Sequence, residues 1–132
     1  PTSGTVFVSV KDLDKAPIKD AVSKLIDLGF NIVSTGGTAK YLSDQGLTVT
    51  RVNKVMEGRP NIVDTMKNGD IAMVFNTTEG TQALRDSYDI RHTALVMKTP
   101  YSTTGAGAYA TVQAIEKILT GTLEVNSLQS YS

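Results

Sequence analysis

The sequence predicts an α/β protein: a five-stranded parallel sheet covered by helices in a three-layer α/β/α sandwich. Three observations predict it. Short runs rich in β-branched residues alternate along the chain with segments of helical period. Four of the runs are apolar at consecutive positions, as strands buried on both faces are. Glycines at 29, 46 and 69 follow the first three helical segments, where helices stop. Strands alternating with helices imply βαβ units with right-handed crossovers.

The elements follow in order. Thr5-Val6-Phe7-Val8-Ser9-Val10 reads as the first strand. Ile18, Ala21, Val22, Leu25 and Ile26 keep one helix face, with Asp14 expected as cap, Pro17 in the first turn and Gly29 as stop. Asn31-Ile32-Val33-Ser34 is the second strand, followed by a helix from about Gly37 to Asp44. Leu47-Thr48-Val49-Thr50 alternates, which suits an edge strand. A helix from about Pro60 to Lys67 precedes the strand Ile71-Ala72-Met73-Val74-Phe75. Another helix begins near Glu79, and Thr93-Ala94-Leu95-Val96-Met97 is expected as the fifth strand. The last helix carries Ala108, Val112, Ile115 and Leu119 on one face and stops at Gly121. Residues 122–132 read as a short strand or a loose tail.

Composition narrows the function. A chain of 132 residues with 40% hydrophobic content supports one domain and one packed core. Thirteen basic residues balance thirteen acidic ones, so nothing electrostatic favours a nucleic acid or a membrane surface as partner. With no cysteine, disulfides, thiolate metal sites and thiol nucleophiles are excluded. No apolar stretch approaches the roughly 20 residues that cross a bilayer, and no signal-peptide pattern opens the chain. A cytoplasmic domain is expected. The opening Pro1-Thr2-Ser3-Gly4, without an initiator Met, points to a fragment of a longer protein.

Ligands of open α/β sheets bind beyond the carboxyl ends of the strands. The residues expected there are Ser9 and Lys15 after the first strand, then Thr35-Gly36-Gly37-Thr38, then Asn53-Lys54 and Glu57-Gly58-Arg59-Pro60. Asn76-Thr77-Thr78 follows the fourth strand, and Tyr101-Ser102-Thr103 lies beyond the fifth. Hydroxyls, glycines, amides and lysines with few carboxylates are what a phosphate requires. Glycines admit backbone N–H groups, hydroxyls donate, a helix N-terminus favours negative charge and lysine supplies a point charge.

Each piece alone has a plainer reading. Thr35-Gly36-Gly37-Thr38 also suits a tight turn with a capping threonine, and Asn76-Thr77-Thr78 a cap and turn. Lys15 and Lys54 singly suit solvated surface. Together, at the ends of adjacent strands, they make an anion pocket. No Walker loop or G-x-G-x-x-G fingerprint is present, against an ATPase or a dinucleotide enzyme. The lone His92 precedes the predicted fifth strand, opposite the pocket, where a structural role is expected. No cluster has metal-ligand spacing. Asp64 falls inside a helix and Glu57 adjoins Arg59, a pairing that keeps a carboxylate ionised, so neither is expected as a base. The methionines and phenylalanines are expected in the core.

From about Gly4 to Ile118 the chain resembles the methylglyoxal-synthase-like domains. Ser9-Val10 with Lys15, Thr35-Gly36-Gly37-Thr38, Val52-Asn53-Lys54-Val55, Glu57-Gly58-Arg59-Pro60 and Asn76-Thr77-Thr78 carry the likeness. It is strongest to the carboxyl-terminal allosteric domain of carbamoyl phosphate synthetase large subunits. The resemblance implies a Rossmann-like α/β/α sandwich that binds nucleoside monophosphates, UMP inhibiting and IMP activating. It implies a phosphate held by Lys15, Thr35, Gly36, Gly37, Thr38 and Lys54, helped by Asn76, Thr77 and Thr78. Asp86 would meet the ribose, with Ser9 beside the effector. Tyr101 and Thr103 would serve an ornithine site whose carboxylates lie outside this chain. The implied partners are the rest of the large subunit and a small glutamine amidotransferase subunit, in pyrimidine and arginine biosynthesis. ATP with magnesium or manganese, and potassium, would act elsewhere in that enzyme, and this domain needs no cofactor and no metal of its own.

Departures from the relatives limit the chemistry. Methylglyoxal synthases resembling this chain carry Gly-Gly-Asp-Gln-Gln, with Asp as base, where this chain has Gly58-Arg59-Pro60-Asn61-Ile62. The Lys-Thr-Leu-His-Pro of the purine cyclohydrolase branch is also missing. A binding domain without catalysis is therefore expected. The alternatives are a phosphate-eliminating lyase of methylglyoxal-synthase type and an interaction domain with a vestigial pocket. Within the synthetase family one animal form answers to N-acetylglutamate, but Lys15, Thr35, Thr38 and Lys54 favour a phosphate ligand.

Overall fold

Val6, Phe7 and Val8 are consecutive and all fully buried, because β1 (Thr5–Ser9) is the middle strand of a sheet covered on both faces. The computed structural model describes residues 3–54, 57–77 and 81–129, the side chains of 81–86 and 121–129 excepted. After β1 come α1 (Asp12–Asp27), β2 (Asn31–Ser34), α2 (Gly36–Asp44), β3 (Thr50–Arg51) and α3 (Ile62–Lys67). Then follow β4 (Met73–Asn76), α4 (Thr81–Val96), β5 (Tyr101–Ser102) and α5 (Gly105–Gln129).

All four strand pairings are parallel, and the strand order is β3-β2-β1-β4-β5. The chain winds outward from β1 through β2 to β3, then returns to the other side of β1 for β4. That reversal sets the carboxyl ends of β1 and β4 side by side, with Ser9 paired to Asn76, at the switch point where open α/β sheets bind ligands.

Alternate side chains of the strands feed two cores. Val6, Val8, Ile32, Met73 and Phe75 pack with Ile18, Val22 and Leu25 of α1, Leu42 of α2, and Val112 and Ile115 of α5. On the other face Phe7 and Val74 pack with Ile62 and Met66 of α3 and Ile90 and Ala94 of α4. The three-layer sandwich is the expected one. Phe7, Phe30, Phe75, Met66 and Met73 are buried as expected; Met97 is 39% exposed, and Met56 lies outside the described residues.

Several boundaries differ from expectation. Thr93–Met97 is not the fifth strand: it lies at the end of α4, with the Thr93 hydroxyl donating to the Asp89 carbonyl at 2.7 Å. Ile90, Thr93 and Ala94 are buried at helical spacing, while Leu95 and Val96 are 77% and 65% exposed. The apolar run hid a helix face, and the true fifth strand is the two-residue Tyr101–Ser102 after Pro100. His92 is accordingly an exposed helical residue, its ring stacked on Tyr88 with centroids 6.2 Å apart. The edge strand is Thr50–Arg51, beyond the predicted Leu47–Thr50, although Leu47 and Val49 do turn inward while Thr48 stays exposed.

Helix α1 begins at Asp12 with Lys11 as N-cap, so Asp14 does not cap it and Pro17 sits in the second turn. The Asp14 carboxylate instead stands against the start of α5, 3.1 Å from where a Cβ on Gly105 would be, and a negative charge suits that helix N-terminus. Helix α3 starts two residues later than expected. Asn61 caps it, accepting from the N–H groups of Val63 and Asp64, while Asp64 reaches back to the Asn61 N–H. Helix α5 continues through Gly121 to Gln129, so the residues after Gly121 form neither a strand nor a loose tail over that span. The predicted start of the fourth helix near Glu79 lies outside the described residues.

Candidate functional site

The first turn of α2 is the centre of the candidate site. Its N-cap, Thr35, is 2% exposed and makes no side-chain cap, so the helix supplies no partner for its own first-turn N–H groups. The Thr35 hydroxyl bonds instead to the Ser9 hydroxyl at 2.9 Å, tying the end of β2 to the end of β1. Thr38 faces inward: its hydroxyl accepts from the Val10 N–H at 3.1 Å and donates to the Val10 carbonyl at 3.3 Å. With both hydroxyls used as braces, Gly36 and Gly37 present bare backbone.

Two lysines converge on that backbone from different elements. A Cβ on Gly37 would lie 3.4 Å from Lys15 Nζ, and one on Gly36 would lie 3.9 Å from Lys54 Cε. Neither glycine needs left-handed geometry here; the missing side chains leave room for the lysines and for a ligand. Lys15 comes from the first turns of α1, and its side chain is 20% exposed. Its ammonium donates to Asp12 Oδ1 at 2.6 Å, and that hydrogen bond, aided by charge attraction, holds the Asp12 carboxyl below its ordinary 3.8. Lys54 comes from the loop after β3. Among the described residues its ammonium has no carboxylate within ion-pair distance.

Thr77 braces the neighbouring strand ends. The Thr77 hydroxyl accepts from the Lys11 N–H at 3.0 Å, and the Thr77 N–H donates to the Ser9 carbonyl at 3.0 Å. Asn76 is 4% exposed, and its amide donates to Ser87 Oγ at 3.0 Å and to the Tyr101 hydroxyl at 2.8 Å. Its nitrogen is thus engaged in bracing β4 against α4 and β5 and is not free for a ligand. Burial pushes the Tyr101 phenol above its ordinary 10.0, partly offset by the Asn76 bond and by the charge of Arg91. Thr103 follows β5 and is exposed.

Lys15, Thr35, Gly36, Gly37, Thr38 and Lys54 are therefore brought together, with Ser9 and Thr77 against them. Tyr101 reaches the same end of the sheet through Asn76, whereas no contact joins Thr103 to the cluster among the described residues. Thr78 and the side chain of Asp86 lie outside the described residues, as does Val55 of the sequence motif.

The expected pairing of Glu57 with Arg59 is corrected. Glu57 accepts from Arg51 Nη2 at 3.0 Å and from the Lys54 N–H at 2.7 Å, while Arg59 binds Asp64 through Nη2 at 2.6 Å and Nε at 3.2 Å. The Arg59 hydrogen bond, with the Asn61 N–H, holds the Asp64 carboxyl below 3.8. Sequence reasoning missed Glu57 as a brace because a bond across a loop leaves no periodic signal. Asn61-x-x-Asp64 did carry one, the capping pattern.

The family model for the MGS-like domain matches residues 18–103. The carbamoyl phosphate synthase large chain of Rhizobium meliloti is 48% identical over 131 residues, 99% of this chain and 11% of that one. That of Pseudomonas syringae pv. tomato is 51% identical over 117 residues, 88% of this chain and 11% of that one. The chain thus spans about 11% of the length of these curated relatives. Among solved structures, the methylglyoxal synthase of Elizabethkingia anophelis NUHP1 shares the fold, with a TM-score of 0.66 over 85% of this chain and 78% of that one, at 22% identity. The family model covers residues 18–103, well over half of the chain, and the fold agrees: the chain belongs to the MGS-like domain family.

Proposed function

We propose that the pocket at α2 binds the phosphate of a nucleoside monophosphate effector, UMP or IMP, and that the chain is a regulatory domain of a carbamoyl phosphate synthase large chain. One observation carries the first part: Lys15 and Lys54, from different elements, converge on the bare backbone of Gly36 and Gly37 at a helix N-terminus. The likeness of 99% of this chain to a stretch of those large chains supports the second.

In this reading the phosphate takes the first-turn N–H groups of α2 and both ammonium groups. Asp86 accepts from the ribose hydroxyls and Ser9 lies beside the nucleotide. UMP inhibits and IMP activates by favouring different states of the longer enzyme, a coupling of about 1–3 kcal/mol. Tyr101 and Thr103 form this side of an ornithine site completed by another domain. The chemistry belongs to the rest of that enzyme, which uses ATP with magnesium or manganese, and potassium, with a small glutamine amidotransferase subunit, in the cytoplasm, for pyrimidine and arginine synthesis.

Binding without turnover is supported by the carboxylates nearby. Asp12 is held by Lys15, Glu57 by Arg51 and the Lys54 N–H, and Asp14 faces the start of α5. Among the described residues, Asp12 and Glu57 are thereby committed to neighbours. Calorimetric titration with UMP and IMP tests the proposal: the protein is expected to bind at least one, and the double variant Lys15→Ala/Lys54→Ala to bind neither. Equal affinity in both proteins refutes the site. Release of methylglyoxal from dihydroxyacetone phosphate above a buffer control refutes the absence of catalysis.

A further inference from the structure

We infer that Glu57 is a positioning residue for effector binding, acting through Lys54; the inference rests on the phosphate site proposed above. Lys54 stands three residues beyond β3, on a loop at the edge of the sheet. A lysine there has a long flexible stem, and its ammonium finds a ligand efficiently only if its backbone is fixed.

Glu57 provides that fixation from one direction. One carboxylate oxygen accepts the Lys54 N–H at 2.7 Å, the other accepts Arg51 Nη2 at 3.0 Å, and the Glu57 N–H donates to the Lys54 carbonyl at 3.0 Å. Lys54 is thus pinned through both its N–H and its carbonyl to a single residue. From the other direction Asn53 is held by Pro60 and Ile62: its amide donates to the Pro60 carbonyl at 3.1 Å, and its carbonyl accepts the Ile62 N–H at 3.0 Å. The Val52 N–H donates to the Ser34 carbonyl at 2.8 Å, which anchors the loop one residue before Thr35. The Lys54 stem then leads to Gly36.

A carboxylate beside an anion site repels the ligand unless its charge is matched. Arg51 matches it, and the Arg51 and Glu57 side chains are 59% and 35% exposed. A pair so exposed contributes little to stability. Its consequence is local: it holds Lys54 in place without adding net negative charge.

Two substitutions separate shape from charge. Glu57→Ala removes the acceptor for the Lys54 N–H. Glu57→Gln keeps an oxygen acceptor and removes the charge. Titration with UMP, IMP and inorganic phosphate is expected to show Glu57→Ala weakening binding about tenfold, the loss of one charge-assisted hydrogen bond, with Glu57→Gln at least as tight as wild type. In a Lys54→Ala background Glu57→Ala is expected to add nothing further, which a general loss of fold would not reproduce. Thermal melts of each variant identify any that has unfolded. Normal affinity in folded Glu57→Ala, or an undiminished effect of Glu57→Ala without Lys54, overturns the positioning role alone. If wild type binds none of the three probes, or Lys54→Ala binds as wild type, the phosphate site itself falls and this inference with it.

Discussion

Lys54→Ala removes the one of the two site lysines that has no ion-pair partner among the described residues. Lys15 already faces Asp12, whereas Lys54 has no carboxylate partner among the described residues, so its full charge is available to a ligand. A phosphate oxygen seated on the α2 N-terminus would accept from this ammonium at about 2.8 Å, a charge-assisted hydrogen bond. Such bonds contribute about 1.5–3 kcal/mol net. Each 1.4 kcal/mol is about tenfold in affinity, so the variant should bind UMP or IMP roughly 10- to 150-fold more weakly. Lys54→Arg should recover part of the loss, because charge returns with a different shape. Lys40→Ala, an exposed lysine further along α2, should change nothing. Calorimetry at low and high salt checks all three, and the gap between wild type and Lys54→Ala should narrow as salt screens the charge. An affinity for Lys54→Ala equal to wild type at low salt refutes the reasoning.

Three further substitutions have expected outcomes. Asp12→Asn should tighten phosphate binding severalfold by calorimetry, since the ligand no longer competes with a carboxylate for Lys15; the Asp12 side chain is 89% exposed, so the melting temperature should hold. Tyr101→Phe leaves a buried Asn76 N–H without its partner and should cost about 1–3 kcal/mol in denaturant unfolding. Because burial raises the Tyr101 phenol above 10.0, its contribution is fully present below pH 10.0 and lost as pH climbs toward the raised value, so Tyr101→Phe should flatten the alkaline loss of stability. Ser34 Oγ is fully buried and has no hydrogen-bond partner among the described residues, so Ser34→Ala should leave the denaturation midpoint unchanged or raise it.

The centre of the fold was legible because burial on two faces writes itself as continuous apolar sequence: β1, β2 and β4 all show it. The edges were not. β3 and β5 are two residues each, too short for a period, and β5 hides behind a proline. Thr93–Met97 misled because four consecutive apolar residues after a β-branched threonine fit a strand as well as the end of α4, and only the spacing back to Ile90 distinguishes them. In the candidate site, residue types were legible but their engagement was not. Their positions after the predicted strands put Lys15, Lys54 and the two glycines at one end of the sheet, whereas the Ser9–Thr35 brace and the capture of Asn76 by Ser87 and Tyr101 depend on contacts 26, 11 and 25 residues apart. Such separations carry no local pattern.

A crystal structure with UMP or IMP bound shows where the effector phosphate sits. Phosphate density is expected on the N–H groups of Gly36 and Gly37, within reach of Lys15 Nζ and Lys54 Nζ. Density seated elsewhere, for instance in the groove between α3 and α4 lined by Arg59, Lys67 and His92, would contradict the proposed phosphate site.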